Sequence, residues 1–507
     1  MKKTIIDYFD NSVKLFADNI AVCDASLSLT YLELERTSKT LAAAIIKNNF
    51  QHKPIALFMK RSAKLPAAVL GVLYSGNFYA VLDFESPIQR IEKILSVLSP
   101  AMIIYEDEFK DTVLDLDCDC AKLCYEVACE GELSKHDEDT LQSIRLAATS
   151  YDPAYALFTS GSTGFPKGAL VTNQNVISYI EWFTQCFNIN ENTIFGSQTS
   201  MYFSMSVSDF YGSILTGGRY VIIPKEYFAF PAKLISFINE KKINSIYWVP
   251  SAMGIAYKLN LFKYCIPKEL KTILFAGEVM PVKYLNYWKQ YIPDALYANL
   301  FGPTETTDIC SYYKVNREFE NNESLPIGIA CENCQLLVIK EDSALASIDE
   351  IGELYVKGPF VALGYYNNAQ KTDEAFVQNP LHSSYRDIVY KTGDLVKKNS
   401  DGELLYMGRT DYQIKHMGYR IELSEIESQL NNTPDINLTV CIYDEKSDSL
   451  LLGYESRENK TQELKLNSLK SLPHYMQPAE FIRFDAFPKN ANGKIDRKEI
   501  KNIILNK

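Results

Sequence analysis

The sequence has 507 residues and a formal charge of −11, because 63 acidic residues outnumber the 52 Lys and Arg. With 47% apolar and 23% charged residues, it has the composition of a globular protein of more than one domain. The acidic total argues against general nucleic-acid binding, which needs a basic surface. An acid at Asp7 interrupts the N-terminal segment, and no apolar run reaches the roughly 20 residues of a membrane helix. We therefore expect a cytoplasmic protein with no membrane or nucleic-acid partner.

The first part of the chain alternates short apolar runs with amphipathic ones, which predicts an α/β fold. Strands are predicted at 54–59, 78–82 and 101–105, and helices at 66–75 and 88–98. The polar segment 106–150 has no clear periodicity and is expected at a surface. Four of the eleven cysteines lie in it, and Cys331 and Cys334 form a separate C-x-x-C pair. Neither group has the two short thiol pairs typical of a zinc site, so free thiols are expected.

Two changes of pattern divide the rest of the chain. Short β-like runs at 335–339, 352–356 and 402–407, separated by Gly and Asp turns, predict a small β-rich subdomain. After Asp411 a strand at 412–415 and a helix at 424–430 begin a unit of roughly 95 residues, enough for an independent α+β domain. The predicted fold class is therefore α/β plus α+β. A large N-terminal domain of layered α/β subdomains would span residues 1–410, and a small C-terminal domain would span 411–507.

A loop rich in hydroxyls and glycines separates two predicted strands, 155–158 and 169–172. Glycines let backbone N–H groups approach a phosphate, while hydroxyls and a lysine add donors and charge. The loop is not the common P-loop, in which Gly precedes the Lys and a hydroxyl follows it; here Pro166 and Gly168 take those places. We predict that this loop binds a nucleotide triphosphate through Thr159, Ser160, Gly161, Ser162, Thr163, Gly164 and Lys167.

Five motifs in order resemble those of the adenylate-forming enzymes, the superfamily of acyl-CoA synthetases, luciferases and nonribosomal-peptide adenylation domains. The first is the T-S-G-S-T-G-F-P-K-G loop at 159–168, and the others are N-L-F-G-P-T-E-T at 299–306, Y-K-T-G-D-L at 390–395, G-R-T-D-Y-Q-I-K at 408–415 with G-Y-R-I-E at 418–422, and N-G-K-I-D-R-K at 492–498. The resemblance covers essentially the whole chain. It is strongest to stand-alone amino-acid adenylation enzymes such as D-alanine–carrier-protein ligases.

The resemblance implies ATP and Mg²⁺ as cofactors and assigns a role to each motif. Glu305 is implied to hold Mg²⁺, which suits a hard cation that prefers carboxylate oxygen. Lys494 and Thr304 are implied to act with it in catalysis. The other implied ATP contacts are Gly277, Glu278, Asn299, Phe301, Gly302, Asp394 and Arg409. The C-terminal domain would be a mobile lid that rotates about Asp411 and carries a thiol-channel loop with Lys415, Gly418 and Arg420.

The implied acid pocket departs from the pattern of amino-acid-activating relatives. Ser204 stands where those relatives have an Asp that pairs with the substrate α-ammonium, and a neutral hydroxyl cannot balance a buried cation. Two explanations are open. The substrate lacks an α-amino group, as in a hydroxy, keto, aryl or fatty acid, or Asp308 supplies the counter-charge to a displaced amine, as in a β-amino acid. The pocket residues expected from the resemblance are Phe203, Ser204, Met205, Ser208, Ser251, Leu274, Ala276, Leu300, Asp308 and Ile309.

The implied reaction converts an acid and ATP to an acyl adenylate and then transfers the acyl group to a thiol. The favoured acceptor is the phosphopantetheine of a separate carrier protein, and coenzyme A is the alternative. An alternative of another class is a catalytically silent nucleotide-binding regulatory protein. The chain runs for only 13 residues beyond Lys494 and has no Gly-Gly-x-Ser attachment site, so we expect a free-standing carrier. The segment 489–507, with six Lys and Arg against two acids, is a candidate docking region for an acidic carrier.

Overall fold

The computed structural model describes residues 4–161, 165–489 and 495–506. In chain order, its strands are β1 Ile20–Cys23, β2 Ser28–Thr30, β3 Pro54–Phe58, β4 Phe78–Val81, β5 Met102–Tyr105, β6 Ala121–Cys124, β7 Pro153–Thr159, β8 Lys167–Thr172, β9 Ile194–Ser197, β10 Arg219–Ile222, β11 Ser245–Trp248, β12 Thr272–Phe275, β13 Leu296–Phe301, β14 Ser311–Lys314, β15 Ile329–Ala330, β16 Gln335–Ile339, β17 Ile351–Lys357, β18 Phe376–Gln378, β19 Ile388–Lys398, β20 Leu404–Arg409, β21 Gln413–His416, β22 Tyr419–Glu422, β23 Leu438–Asp444, β24 Ser449–Glu455 and β25 Glu480–Phe484.

The helices of the described residues connect these strands. They are α1 Ile5–Phe16, α2 Tyr31–Ile46, α3 Lys64–Tyr74, α4 Ile88–Leu98, α5 Lys110–Asp115, α6 Tyr125–Cys129, α7 Lys135–Ala147, α8 Asn173–Phe187, α9 Met205–Ile214, α10 Pro231–Glu240, α11 Pro250–Lys258, α12 Val282–Tyr291, α13 Ala369–Ala375, α14 Leu423–Leu430, α15 Thr461–Ser471 and α16 Arg497–Leu505. Local sequence explains several of the helix starts. For example, Thr30 and Glu33 form a capping box that satisfies free backbone N–H groups at the start of α2.

Two large sheets form most of the N-terminal region. One has six strands in the order β6-β5-β3-β4-β7-β8, and the other has nine in the order β15-β14-β13-β12-β11-β9-β10-β1-β2. Most neighbouring strands are parallel, while β8 runs antiparallel to β7 and β14 antiparallel to β13. A large buried apolar core extends between the two sheets and the helices that cover them, and a second, smaller one lies between the six-stranded sheet and α4. This is the α/β layering that the sequence predicts.

The remaining strands form smaller sheets. An antiparallel sheet of five strands, β16 to β20, is the small β-rich subdomain that the runs at 335–339, 352–356 and 402–407 predict. After it, β21 and β22 form a hairpin, and β23, β24 and β25 form a three-stranded sheet packed on helices. Two further apolar cores consist only of residues from Ile414 onward. The fold class is therefore α/β plus α+β, as predicted, while the domain boundary at 411 stays a prediction.

The segment 106–150 has regular secondary structure that its sequence does not predict. It contains the parallel strand β6 and the helices α5, α6 and α7. Leu141 is the one buried residue of α7, so the helix carries almost no apolar periodicity and depends on the Ser134 cap for its start. The eleven cysteines are all free thiols, as expected. None of the helices within the described ranges is both long enough and apolar enough to cross a membrane.

Candidate active site

A cavity of about 540 Å³ brings together residues from both large sheets and from the C-terminal hairpin. Its wall contains sixteen of the predicted site residues, from all three predicted groups. The nucleotide and catalytic group contributes Thr159, Ser160, Gly277, Gly302, Thr304, Asp394 and Arg409, the acid group contributes Phe203, Ser204, Met205, Ala276, Asp308 and Ile309, and the thiol-channel group contributes Lys415, Gly418 and Arg420. The predicted residues Ser162, Thr163, Gly164 and Lys494 lie outside the described residues.

The phosphate loop joins two antiparallel strands, with Thr159 paired to Lys167 across them. Gly161 cannot carry a side chain, because a Cβ there would meet the carbonyl oxygen of Phe165 at 2.1 Å. The buried hydroxyl of Ser160 donates to the carbonyl of Arg420 at 2.7 Å and accepts from the backbone N–H of Glu422 at 3.1 Å. The loop is therefore in direct contact with the C-terminal hairpin.

Glu305 lies just behind this wall, fully buried, in a cluster of charged groups. Its Oε2 accepts from Arg420 Nη1 at 2.6 Å, its Oε1 accepts from the Tyr365 hydroxyl, and Lys167 Nζ lies 3.8 Å from Oε1. Burial opposes ionisation, but Arg420 and Lys167 outweigh it and lower the pKa of Glu305 to about 2. Burial and the charge of Arg420 lower the pKa of Lys167 to about 8. Glu305 is therefore an ionised oxygen donor, as a magnesium ligand must be.

Asp394 and Arg409 meet at the other end of the cavity. Arg409 Nη1 donates to Asp394 Oδ1 at 2.6 Å, and the same guanidinium holds both oxygens of Asp411 at 2.7 and 2.8 Å. Gly393 adopts a φ of +76° beside this guanidinium, a conformation that favours glycine. Asp394, which is predicted to contact ATP, and Asp411, the predicted hinge residue, therefore share one arginine, Arg409.

Three predicted nucleotide residues are placed beneath the wall. Asn299 and Phe301 lie on β13, where the Asn299 amide donates to the carbonyl of Pro326 at 2.8 Å. Lys415 Nζ lies 5.0 Å from the centroid of the Phe301 ring, within cation–π range. Glu278 accepts the backbone N–H and the hydroxyl of Ser251 at 2.7 and 3.0 Å. Of these three, Phe301 contacts the cavity wall through Lys415.

Four of the ten predicted acid-pocket residues do not line the cavity. Leu274 and Leu300 are buried in the sheet core, and Ser208 lies behind Asp308, to which it donates a hydrogen bond. Ser251 belongs to the first turn of α11, which begins at Pro250, and both its donors are used by Glu278. The expectation that these four side chains form the pocket wall is therefore corrected.

Tyr247 and Val249 occupy the wall in place of Ser251. Tyr247 is in β11 and Val249 follows the last residue of that strand, and side chains alternate between the two faces of an extended chain. Two further aromatic residues of the wall come from the C-terminal region. Tyr475 stacks on Tyr419 with ring centroids 3.5 Å apart, and Tyr419 meets Phe203 edge to face at 4.9 Å. The segment 246–249 reads I-Y-W-V, a continuous apolar run without alternation, so no local pattern selects either pair.

Gly302 is required by the turn that places Asp308. A Cβ at this position would lie 2.2 Å from the Asp308 carbonyl oxygen and 2.5 Å from Ile309 Cα, and backbone atoms cannot move aside cheaply. We expect Gly302→Ala to lower the free energy of unfolding by about 1–3 kcal/mol, as overpacking does, measured by denaturant unfolding. Gly131→Ala is the control, because its Cβ would meet nothing nearer than 3.6 Å. Equal stability of the two variants would contradict the assignment.

Comparisons with known proteins identify the family. Residues 9–366 match the family model described as AMP-binding enzyme. The chain is 31% identical to bacitracin synthase 1 of Bacillus licheniformis over 98% of its own length, but it spans only 9% of that protein.

Two solved structures share the fold at lower identity. The Vibrio cholerae adenylation domain AlmE in complex with glycyl-adenosine-5'-phosphate has a TM-score of 0.85 and 20% identity, with 100% of this chain and 98% of that one covered. Holo-PA1221, an NRPS protein containing adenylation and PCP domains and bound to a vinylsulfonamide inhibitor, has a TM-score of 0.82 and 22% identity, with 99% and 84% covered. The chain belongs to the AMP-binding enzyme family and is an AMP-forming ligase.

Proposed function

We propose that this enzyme activates an amino acid or a similar carboxylic acid with ATP and passes the acyl group to the phosphopantetheine thiol of a separate carrier protein. In the first step, a carboxylate oxygen bonds to the α-phosphorus of ATP, the bond to the bridging oxygen breaks, and pyrophosphate leaves. In the second, the thiol sulfur bonds to the acyl carbon, loses its proton, and AMP leaves. Coenzyme A as the acceptor is the alternative.

One observation carries the proposal: sixteen predicted residues, drawn from the nucleotide, acid and thiol-channel groups, line a single cavity. Thr304 lies on the wall next to Glu305, which is the residue that would hold Mg²⁺. The ion would neutralise charge on the phosphates when bound. Asp394 would accept the ribose hydroxyls, because an ionised carboxylate can accept two donors at once. These residues align the reactants and balance their charge, which is the main requirement of such a transfer.

The position of the C-terminal hairpin supports a second step at the same cavity. Lys415, Gly418 and Arg420 are on the wall, and the Arg420–Glu305 ion pair joins the hairpin to the N-terminal region. This is where the resemblance expects the loop when a thiol enters. The similarity to an NRPS protein with adenylation and PCP domains is a further argument for a carrier as acceptor. The carrier would then dock near α16, where the chain is locally basic.

Two measurements test the proposal. Acid-dependent exchange of labelled pyrophosphate into ATP is expected with at least one member of a panel of α-amino, β-amino, hydroxy and aryl acids. No exchange with any acid would contradict the adenylation step. A phosphopantetheinylated carrier protein and coenzyme A are then offered separately, with ATP, Mg²⁺ and the active acid, and are analysed by mass spectrometry. Acylation of the carrier is the expected result, and acylation of coenzyme A alone would replace the carrier by the alternative acceptor.

A further inference from the structure

The acid pocket contains one buried carboxylate that is surrounded by hydroxyl groups. Asp308 is on the cavity wall and only 1% exposed. Its Oδ2 accepts from the hydroxyls of Ser208 and Tyr179, the second at 3.2 Å, and these two hydroxyls are 2.7 Å from each other. The hydroxyls of Ser204 and Tyr247 lie nearby and help to limit the pKa of this carboxyl, although the Tyr247 hydroxyl has no hydrogen-bond partner among the described residues. Two hydroxyls, those of Ser208 and Tyr179, therefore hold the carboxylate directly.

This carboxylate has no cation beside it. In the ranges that the structure describes, no Lys, Arg or His nitrogen forms an ion pair with Asp308 within 4.0 Å. Burial raises the pKa of Asp308 to about 6, and the surrounding hydroxyls keep it from rising further, so the group is ionised at neutral pH. An ionised buried acid without a partner is costly, and a cationic ligand group removes that cost.

Asp209, on helix α9 next to Ser208, provides a contrast. It is fully buried but is not part of the cavity wall, and burial raises its pKa to about 8 despite the positive charge of Arg61. It is therefore protonated at neutral pH. Asp308, on the other hand, is both ionised and on the wall.

Thr304 and Asp308 are both on the cavity wall. Thr304 precedes Glu305, and Lys167 Nζ lies 3.8 Å from Glu305 Oε1, so a substrate carboxylate held beside these charged groups would lie near Thr304. Ser204 lies between the two positions, since its hydroxyl accepts from Thr304 Oγ1 at 3.4 Å and also stabilises Asp308. An ammonium on the α-carbon would face the neutral Ser204, whereas one further along the substrate would face Asp308.

We propose that Asp308 binds the ammonium group of a substrate whose amine lies on the β-carbon or beyond, so that the enzyme activates a non-α amino acid. This inference rests on the proposed adenylation function and specifies its substrate class. Ser208 and Tyr179 orient the carboxylate through their hydrogen bonds, and Ser204 and Tyr247 complete the polar end of the pocket. Of the two explanations for Ser204 that the sequence leaves open, this one assigns a role to the unpaired acid.

Two sets of acids test the inference by pyrophosphate exchange; within each set the carbon skeleton is the same, and the amine is moved, removed or replaced by a hydroxyl. The first contains 2-, 3- and 4-aminobutanoate, 3-hydroxybutanoate and butanoate. The second contains phenylalanine, 3-amino-3-phenylpropanoate and 3-phenylpropanoate. We expect the wild-type enzyme to use a displaced amine of at least one set with a kcat/KM about 30-fold above that for the α-amino and amine-free analogues, the effect of a buried charge pair. A preference for the α-amino or amine-free acids in both sets would overturn the inference.

Asp308→Asn removes the charge and keeps the shape of the side chain. We expect it to lower kcat/KM for the displaced amine about 30-fold and to leave the amine-free analogue nearly unchanged, which also reports that the variant is folded. Asp209→Asn is the matched control and should retain the amine preference, because Asp209 is already neutral. Retention of that preference in Asp308→Asn would overturn the inference. If Asp308→Asn does not fold, the order of the wild-type kcat/KM values within the two sets of acids decides alone. Absence of exchange with every acid, including the broad panel, would instead overturn the adenylation function.

Discussion

Replacing Lys494 by alanine is expected to lower acid-dependent pyrophosphate exchange by about 100- to 1,000-fold, while transfer to a thiol from preformed acyl adenylate stays nearly unchanged. The compact ammonium of lysine would stabilise negative charge that develops on the carboxylate and the bridging oxygen only in the first step. Lys494 lies outside the described residues, so this expectation depends on its motif, Asn492-Gly-Lys-Ile-Asp-Arg-Lys498. Rapid-quench measurement of the two half-reactions separates them.

Lys498→Ala is the control for this prediction. Lys498 is exposed on α16, only four residues from Lys494 in the same basic segment. If the segment acts only through its total charge, the two variants should behave alike. Equal loss of both half-reactions in Lys494→Ala would also contradict the assigned role, because a residue specific to adenylation cannot slow the later transfer.

Arg420→Ala is expected to have the opposite effect, slowing thiol transfer about 100-fold while sparing adenylation. Arg420 holds the C-terminal hairpin on the cavity through Glu305, and its backbone carbonyl accepts from Ser160. Truncating one partner of a buried charge pair costs about 2–5 kcal/mol. Here the cost would destabilise the arrangement in which the hairpin lies on the cavity, because the pair exists only in that arrangement. An adenylation arrangement, in which the lid is rotated so that the hairpin leaves the cavity and Lys494 enters it, would not need the pair. Single-turnover transfer from isolated acyl adenylate measures the effect.

A matched control for Arg420 is available on the surface. Arg386 is exposed on the loop before β19, so Arg386→Ala changes the net charge equally without touching the cavity. It should leave both half-reactions unchanged. Loss of adenylation equal to the loss of transfer in Arg420→Ala would show that the Arg420–Glu305 pair serves the common site and not one arrangement of the lid.

The residues predicted to bind the nucleotide come from short, contiguous motifs. A phosphate loop needs glycines and hydroxyls at fixed spacing; Thr159 and Ser160 line the cavity, and the nucleotide role of their loop stays a prediction. Asp394 and Arg409 are likewise neighbours across the adjacent strands β19 and β20, where they are paired in register. Motifs of this kind determine both the chemistry and the local backbone.

The acid pocket was less predictable because its wall depends on which face of each strand is turned inward. The wall uses Tyr247 and Val249, whereas Ser251 has already entered a helix. A shift of one residue in strand register moves every side chain of the strand to the other face of the sheet. The order of the motifs therefore does not by itself tell which residues line the cavity. The segment 106–150 was unpredictable for a related reason, since α7 is surface-exposed and lacks an apolar stripe.

By itself the sequence determined the α/β plus α+β class and the AMP-forming chemistry, because contiguous motifs and apolar periodicity are local properties. Only the tertiary structure decided that Asp308 meets Tyr179 and Ser208, which lie 129 and 100 residues away along the chain, without a cation beside them. It alone also placed Arg420 on Glu305, across 115 residues. Such contacts depend on how sheets and helices pack, and a buried charge takes its properties from that packing.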